Sequence, residues 1–155
     1  MAVTHNWFGP GLENILNGTI NLVSDTIKVA LFKEAYSPAE ADENYVDTHE
    51  CESEDYLNEG GTGAGEGGQT LPITAAEINY DTGEVKIKTS AEAGETVFTS
   101  EGTISAYYAV IYSATPATSK LISWVDFGGE EASVDGEYKI TWTNAELHKF
   151  NVNPV

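Results

Sequence analysis

The spacing of apolar residues near the start of the chain is that of a helix. Pro10 and Gly18 bracket this segment, as is common at the two ends of a helix. Its apolar residues recur at spacings of three and four and so fall on one face: Phe8, Leu12, Ile15 and Leu16. The pattern predicts one short helix within an N-terminal arm formed by residues 1–24.

The period changes to two in the stretch from Asp25 to Phe32. Ile27, Val29 and Leu31 lie on one side of an extended chain. The residues between and after them lie on the other side: Lys28, Ala30 and Phe32. This alternation predicts a strand with at least one well-buried face.

Later apolar stretches are short and are separated by turn signals. Ile73 to Tyr80 and Val85 to Thr89 flank a turn in which Gly83 suits a β-hairpin. Ile104 to Tyr112 is apolar on both faces, which predicts a central strand. Further strands are predicted at Leu121 to Phe127, Tyr138 to Trp142 and near Leu147 to Val152.

This succession of strands predicts a mainly β fold. The chain has 155 residues, enough for a single domain that buries about two-thirds of its unfolded surface. Frequent turns and little helix favour an antiparallel β-sandwich or barrel with one short N-terminal helix. The pattern leaves the choice between sandwich and barrel open.

Residues 34–70 interrupt the β pattern. Ten acidic residues lie between Glu34 and Glu59, and six glycines occur among the eleven residues from Glu59 to Gln69. Such a composition has too little apolar surface to offset its own ordering entropy. The sequence therefore predicts a long acidic, glycine-rich loop that leaves the β-core at residue 34 and returns at residue 70.

The charge balance of the chain limits its partners. It has 25 acidic residues, seven lysines and no arginine, for a formal net charge of −18. Phosphate binding needs clustered Lys or Arg, so no nucleic-acid partner is expected. Dense carboxylates are also what a highly soluble surface or a salty habitat would select.

The sequence shows no sign of membrane insertion or export. No window approaches the roughly 18 apolar residues of a membrane span. The first residues lack the basic region of a signal peptide. Neither membrane insertion nor export by a signal peptide is therefore expected.

No arrangement of side chains in the sequence indicates an enzyme. Cys51 lies between Glu50 and Glu52, which disfavour a thiolate and make it a poor nucleophile. The glycine run lacks the lysine of a phosphate-binding loop. The histidines are far apart and form no local catalytic motif: His5, His49 and His148. We expect no catalytic activity and no cofactor.

Carboxylates of the acidic segment are the chain's candidates for a cation site. Asp42, Glu43 and Asp47 could supply hard oxygen ligands to Ca²⁺. Their spacing matches no EF-hand loop, and a solvated acidic loop is the simpler interpretation. A bound metal is therefore not predicted.

Aromatic residues outside the predicted strands are the candidates for partner binding: Trp7, Phe8, Tyr36, Tyr45 and Tyr56. The pair Trp7-Phe8 precedes the helix, where it either staples the arm onto this chain's own core or anchors a partner. Trp124 and Trp142 lie in predicted strands and are expected in the core.

Several segments, taken in order, resemble a family of small virion structural proteins of tailed bacteriophages. The resemblance covers most of the chain and is carried by Trp7-Phe8-Gly9, Glu13 to Asn17, Asp25 to Leu31, Gly60 to Leu71, Tyr107 to Gly129 and Lys139 to Trp142. The acidic residues 34–59 depart from it, which puts any contact shared through that loop in doubt.

The resemblance implies a head-associated decoration or cement protein on the capsid exterior, made in the host cytoplasm. Its implied partner is the major capsid protein, and by analogy with other decoration proteins a homotrimer is the preferred assembly. The alternative is a receptor- or glycan-binding module of the tail or of a head fibre, in which exposed aromatic rings would stack on sugars.

Overall fold

A computed structural model of the chain describes residues 3–46, 51, 68–71, 73–79, 84–89, 95–99, 103–133, 137–142 and 146–151. Strand β1 and helix α1 come first, at Thr4–Trp7 and Gly9–Leu16. The next five strands are β2 (Ile27–Phe32), β3 (Gln69–Thr70), β4 (Ile73–Asn79), β5 (Glu84–Thr89) and β6 (Glu95–Thr99). The last four are β7 (Ile104–Ser113), β8 (Lys120–Ser133), β9 (Glu137–Thr141) and β10 (Glu146–Asn151).

A five-stranded antiparallel sheet forms the centre of the molecule. Its strand order is β1-β8-β7-β2-β3, so β7 is the middle strand, as its two apolar faces predict. A second sheet has the order β10-β5-β4, and β6 pairs with β9. The predicted hairpin is confirmed, because β4 and β5 pair antiparallel up to Asn79 and Glu84. The mainly β fold with one short helix is therefore confirmed, and the choice of sandwich or barrel stays a prediction.

Both faces of strand β2 are buried. Ile27, Val29 and Leu31 belong to the main hydrophobic cluster on one face of the central sheet. Ala30 and Phe32 belong to a second cluster on the opposite face. The alternation in the sequence thus gave the orientation of each side chain, and the structure adds that the second face is covered as well.

The main cluster joins the three sheets. The central sheet contributes residues such as Ile111 and Ile122, and the β10-β5-β4 sheet contributes Ile87. The β6-β9 pair contributes Phe98 and Ile140. These side chains pack in one continuous cluster, so strands of all three sheets share the main cluster. The single domain predicted for residues 1–155 stays a prediction.

Tryptophan packing agrees with the prediction from the strand pattern. Trp142 is buried in the main cluster and donates its indole N–H to the Thr96 hydroxyl at 2.8 Å. Trp124 is buried on the opposite face of the central sheet. Both rings therefore contribute to the core and not to an exposed surface.

Strand β8 extends beyond the end that the sequence predicts. The predicted strand ends at Phe127, before the pair Gly128-Gly129, yet β8 continues to Ser133. Gly128 has a φ of 75°, and its N–H donates to the Asp126 carboxylate at 2.7 Å. The register with β7 shifts between Tyr108 and Ala106, so the glycines form a bulge within a strand.

Three short strands were not predicted from the sequence: β1, β3 and β6. Strand β3 also corrects the boundary of the loop predicted for residues 34–70. Gln69 and Thr70 pair with Val29 and Lys28 and so belong to the central sheet. Cys51 lies inside the same interval, yet it is buried, and its N–H donates to the Leu31 carbonyl at 2.8 Å. The loop therefore returns to the β-core at Cys51 as well as at its end.

Helix α1 packs closely against the central sheet. Pro10 lies in its first turn, and Gly18, just past its end, has a φ of 79°. The sequence pattern places Leu16 on one face with Phe8, Leu12 and Ile15, yet Leu16 is 79% exposed while Phe8 is buried. The helix instead presents buried Gly11 to β8, where a Cβ atom would lie 2.5 Å from the Leu121 carbonyl oxygen.

The described residues contain no helix long and apolar enough to span a bilayer.

The close approach of α1 to β8 predicts that Gly11→Ala is destabilising. The added methyl group has to displace the helix from the sheet, which lowers the free energy of unfolding by about 1–3 kcal/mol. Gly9→Ala is the matched control, because its Cβ would be 3.4 Å from the nearest atom outside the helix, the Glu40 carbonyl oxygen. Urea unfolding of the two variants checks the difference. Equal stability of the two variants would contradict the proposed packing.

Candidate functional site

Three of the five candidate partner-binding residues, Phe8, Tyr36 and Tyr45, lie on the face of the central sheet opposite the main cluster. This covered face is formed by Phe8, Ala30, Phe32, Val110, Tyr112, Leu121 and Trp124. Residues 33–46, here termed the covering segment, lie over it and contribute the half-buried side chains of Tyr36 and Tyr45. The first part of the acidic loop is thus a layer of the fold.

Tyr36 packs against two aromatic rings of the sheet. Its ring centroid lies 4.4 Å from that of Phe32 and 5.8 Å from that of Tyr108, the latter in an edge-to-face arrangement. Burial, followed by the nearby Asp42 carboxylate, raises the pKa of Tyr36 to about 12. The phenol therefore stays neutral at physiological pH, and its half-buried ring contacts Phe32 and Tyr108 of the same chain.

Tyr45 is held even more closely. Its ring stacks on Tyr112 with a centroid separation of 3.9 Å and meets Phe32 edge-on at 5.8 Å. Its backbone N–H donates to the Ser119 carbonyl at 2.9 Å. Stacking and backbone pairing together fix this end of the covering segment against the sheet.

Phe8 is fully buried, which corrects its assignment as a partner-binding residue. Its ring packs 4.5 Å from Trp124, and its N–H donates to the Ile122 carbonyl at 3.1 Å. Trp7 lies in β1 opposite Ser123 and packs half-buried against the main cluster. The neighbouring rings of Trp7 and Phe8 therefore pack on opposite faces of the central sheet. Of the two interpretations of this pair, the structure supports the staple onto the chain's own core.

Two of the acidic candidates for a cation site, Asp42 and Glu43, bind neighbouring protein groups. The Asp42 carboxylate accepts the Ala39 N–H at 2.9 Å and closes a local turn. The Glu43 carboxylate pairs with the Lys120 ammonium at 2.7 Å. Asp47 and Tyr56 lie outside the described residues. Within the described ranges no group of three His, Cys, Asp or Glu side chains is arranged to hold a metal ion.

Lys120 is a residue of this site that the sequence analysis did not single out. Its ammonium lies 2.7 Å from both the Glu43 carboxylate and the Asn44 side-chain oxygen. The Leu121 N–H donates to the Glu43 carbonyl at 2.9 Å, and Asn44 forms a β-bridge with Lys120. One lysine at the start of β8 thus clamps the acidic covering segment.

Cys51 and Tyr107 are two further residues with titratable side chains near the central sheet. The Cys51 thiol is buried and lies 3.4 Å from the Ser105 carbonyl oxygen, so it packs as part of the core. On β7, partial burial and then the Glu34 and Glu130 carboxylates raise the pKa of Tyr107. The Glu34 and Glu130 carboxylates therefore lie near the Tyr107 phenol, beside the β7–β8 bulge.

The two histidines within the described ranges lie in different strands. His5 stacks on Trp142 with a centroid separation of 6.2 Å, and His148 lies in β10. His49 lies outside the described residues. The described parts of the site thus consist of aromatic packing, one buried thiol and a lysine clamp.

Comparisons of the chain with protein-family models, with curated proteins and with solved structures find no match.

The lysine clamp predicts a moderate effect of Lys120→Met on stability. The variant keeps the aliphatic stem but loses the ion pair with Glu43, so the free energy of unfolding falls by about 1 kcal/mol. Limited digestion by a glutamate-specific protease also becomes faster at Glu40 and Glu43. Lys139→Met is the control, because Lys139 pairs at 3.0 Å with Glu137 where both side chains are about half exposed. Equal stability and equal digestion rates of the two variants would show that Lys120 does not hold the covering segment against the sheet.

The raised pKa of Tyr36 predicts a loss of stability at high pH. In the unfolded chain its phenol ionises at about 10.0, and in the folded protein at about 12. Its contribution to stability is therefore complete below pH 10 and is lost as the pH rises towards 12. Urea unfolding of wild type and Tyr36→Phe across this window checks the prediction. The variant loses stability less steeply, and parallel curves would contradict it.

Proposed function

We propose that this chain is a structural protein of a tailed-bacteriophage virion that decorates the outside of the head. It binds across neighbouring subunits of the major capsid protein and stabilises the shell. Copies of the chain associate with one another, with a trimer as the preferred assembly. The protein acts by forming contacts and not by catalysis.

The observation that carries this proposal is the ordered set of segments that resemble small virion structural proteins. The segment from Asp25 to Leu31 provides most of β2, and the segment from Tyr107 to Gly129 provides most of β7 and β8. The segment from Lys139 to Trp142 provides most of β9 and the buried Trp142. The resemblance thus falls on the strands that build the core and not on one local motif.

The way in which the central sheet is packed supports a mechanical role. Its middle strands bury apolar side chains on both faces, and the covering segment closes one of these faces together with Phe8. A β-sheet that is closely packed on both faces is hard to compress and deforms little under load. A stable protein contact needs about 800 Å² on each partner, and a symmetric shell repeats that gain at every equivalent position.

The charge of the protein suits an outward position on the shell. A net charge of −18 repels DNA and other particles that carry the same negative coat. Glu34 and Glu130 beside Tyr107 show one place where this charge is displayed. The outer surface of a decorated head would therefore be anionic.

The alternative function, a glycan- or receptor-binding module, relies on exposed aromatic rings. Tyr36 and Tyr45 pack on this chain's own sheet, and Phe8 is fully buried. Trp7 is half-buried against the main cluster. These contacts leave less ring surface for stacking on a sugar than the sequence suggests, so the decoration role is preferred.

The proposal predicts that the protein is an abundant component of purified virions. Quantitative mass spectrometry against the major capsid protein is expected to give a fixed ratio set by the symmetry of the shell. Electron cryomicroscopy of the same particles is expected to show the β-domain on the outside of the head. A few copies located at the tail would instead favour the glycan-binding alternative, and absence from the particle would exclude both.

A further inference from the structure

Tyr45 and Tyr112 form a nearly parallel stack on the covered face of the central sheet. Their ring centroids lie 3.9 Å apart, and the two ring planes meet at 18°. Tyr112 is buried, and Tyr45 is half-buried above it. A separation of about 3.5–4.0 Å is that of two carbon atoms in van der Waals contact, so the faces of the two phenol rings touch.

The backbone holds both rings of this stack in place. Tyr112 lies in β7, the middle strand, which is paired with β2 on one side and with β8 on the other. The Tyr45 N–H donates to the Ser119 carbonyl at 2.9 Å. The side-chain oxygen of the preceding Asn44 accepts a hydrogen bond from the Lys120 ammonium at 2.7 Å. The two ring faces therefore meet in the folded chain itself and not in a passing collision.

A stacked pair of phenols has a reactivity that a single phenol lacks. A tyrosine that loses one electron and its phenolic proton becomes a phenoxyl radical. The unpaired electron occupies a π-orbital, so its density lies above and below the ring plane, in part at the carbons ortho to the oxygen. Two phenoxyl rings consequently couple when their faces overlap, and a pair that is already stacked needs no diffusional encounter.

A second tyrosine pair on the same face of the sheet has the wrong geometry for coupling. The ring centroids of Tyr36 and Tyr108 lie 5.8 Å apart, and their planes meet at 75°. The edge of one ring therefore points at the face of the other, and the π-orbitals of the two rings are not aligned. The covered face thus contains one tyrosine pair with the geometry for coupling and one without it.

We propose that Tyr45 and Tyr112 are a site of oxidative cross-linking, at which a dityrosine bond joins the covering segment to β7. A one-electron oxidant of the peroxide class takes one electron from each phenol, and each phenolic proton passes to water. A carbon–carbon bond then forms between two facing ortho carbons, and the hydrogen on each of these carbons moves to the phenolic oxygen as the ring regains its aromaticity. The product has two hydrogens fewer than the two separate side chains. The link needs no partner protein, so the inference is independent of the proposed function.

Photo-oxidation of the purified full-length chain tests the site. The probe is tris(bipyridine)ruthenium(II) with persulfate under visible light, in which persulfate is the final acceptor of both electrons. Wild type is expected to gain the blue fluorescence of dityrosine, with a yield per chain that does not change with protein concentration, because both rings belong to one chain. Digestion after glutamate and lysine is expected to release residues 44–50 joined to residues 102–120. Fragmentation of this product by mass spectrometry is expected to assign the link to Tyr45 and Tyr112.

Three phenylalanine variants separate this pair from the other tyrosines. Tyr45→Phe and Tyr112→Phe keep an aromatic ring in the stack but cannot form the second phenoxyl radical. Each is expected to lower the yield of the joined peptides at least about tenfold, because the remaining phenol has no stacked partner. Tyr36→Phe is the matched control, since it removes a phenol from the edge-to-face pair, and it is expected to cross-link like wild type. Unfolding in urea separates the rings and is expected to abolish the link as well.

The opposite results overturn the proposal. Oxidised wild type without the link shows that the stacked rings do not couple. A yield that rises with protein concentration shows that the link forms between copies. A link that persists in Tyr45→Phe, or that forms equally in urea, shows that the folded stack is not its origin. Circular dichroism verifies that the variants are folded before oxidation.

Discussion

The rest of the structure depends on a central sheet that is apolar on both faces. Strands β2 and β7 bury side chains above and below the sheet, so neither face can be left to water without a large loss of hydrophobic free energy. Two covers are therefore required. The smaller sheets cover one face, and the covering segment covers the other with the N-terminal staple at Phe8. The short helix is positioned by the same requirement.

The covering segment reconciles this demand with a very acidic sequence. Its tyrosines supply ring surface to the sheet, while its carboxylates are used locally, as in the turn closed by Asp42. Glu43 meets the one lysine available at the start of β8. Aromatic rings separated by acidic residues thus form a layer whose inner side is apolar and whose outer side is charged. A high acidic content is therefore compatible with ordered packing.

The sequence predicts those elements whose signal is local. Alternation in β2, the two apolar faces of β7 and the hairpin pairing of β4 with β5 each depend on a few neighbouring residues, and the structure agrees with all three. Prediction from the sequence fails where contacts between residues distant in sequence determine the local structure. The strand predicted to end at Phe127 continues through a bulge at Gly128, because pairing with β7 continues past it. Tyr36 and Tyr45 read as exposed because their partners on the sheet, such as Tyr108 and Tyr112, are distant in sequence. The role of Lys120 is hidden for the same reason.

Two anchors on β2 have a consequence for how the chain can vary in length. The Cys51 N–H is bonded to the Leu31 carbonyl, and Gln69 pairs with Val29, two residues away on the same strand. The chain thus leaves and rejoins the sheet at points about 7 Å apart along β2. Residues can be added between such anchors at a closure cost that grows only with the logarithm of their number. The acidic, glycine-rich interval is therefore a natural insertion point, where this protein can gain or lose sequence, or carry a foreign peptide, without rebuilding its core.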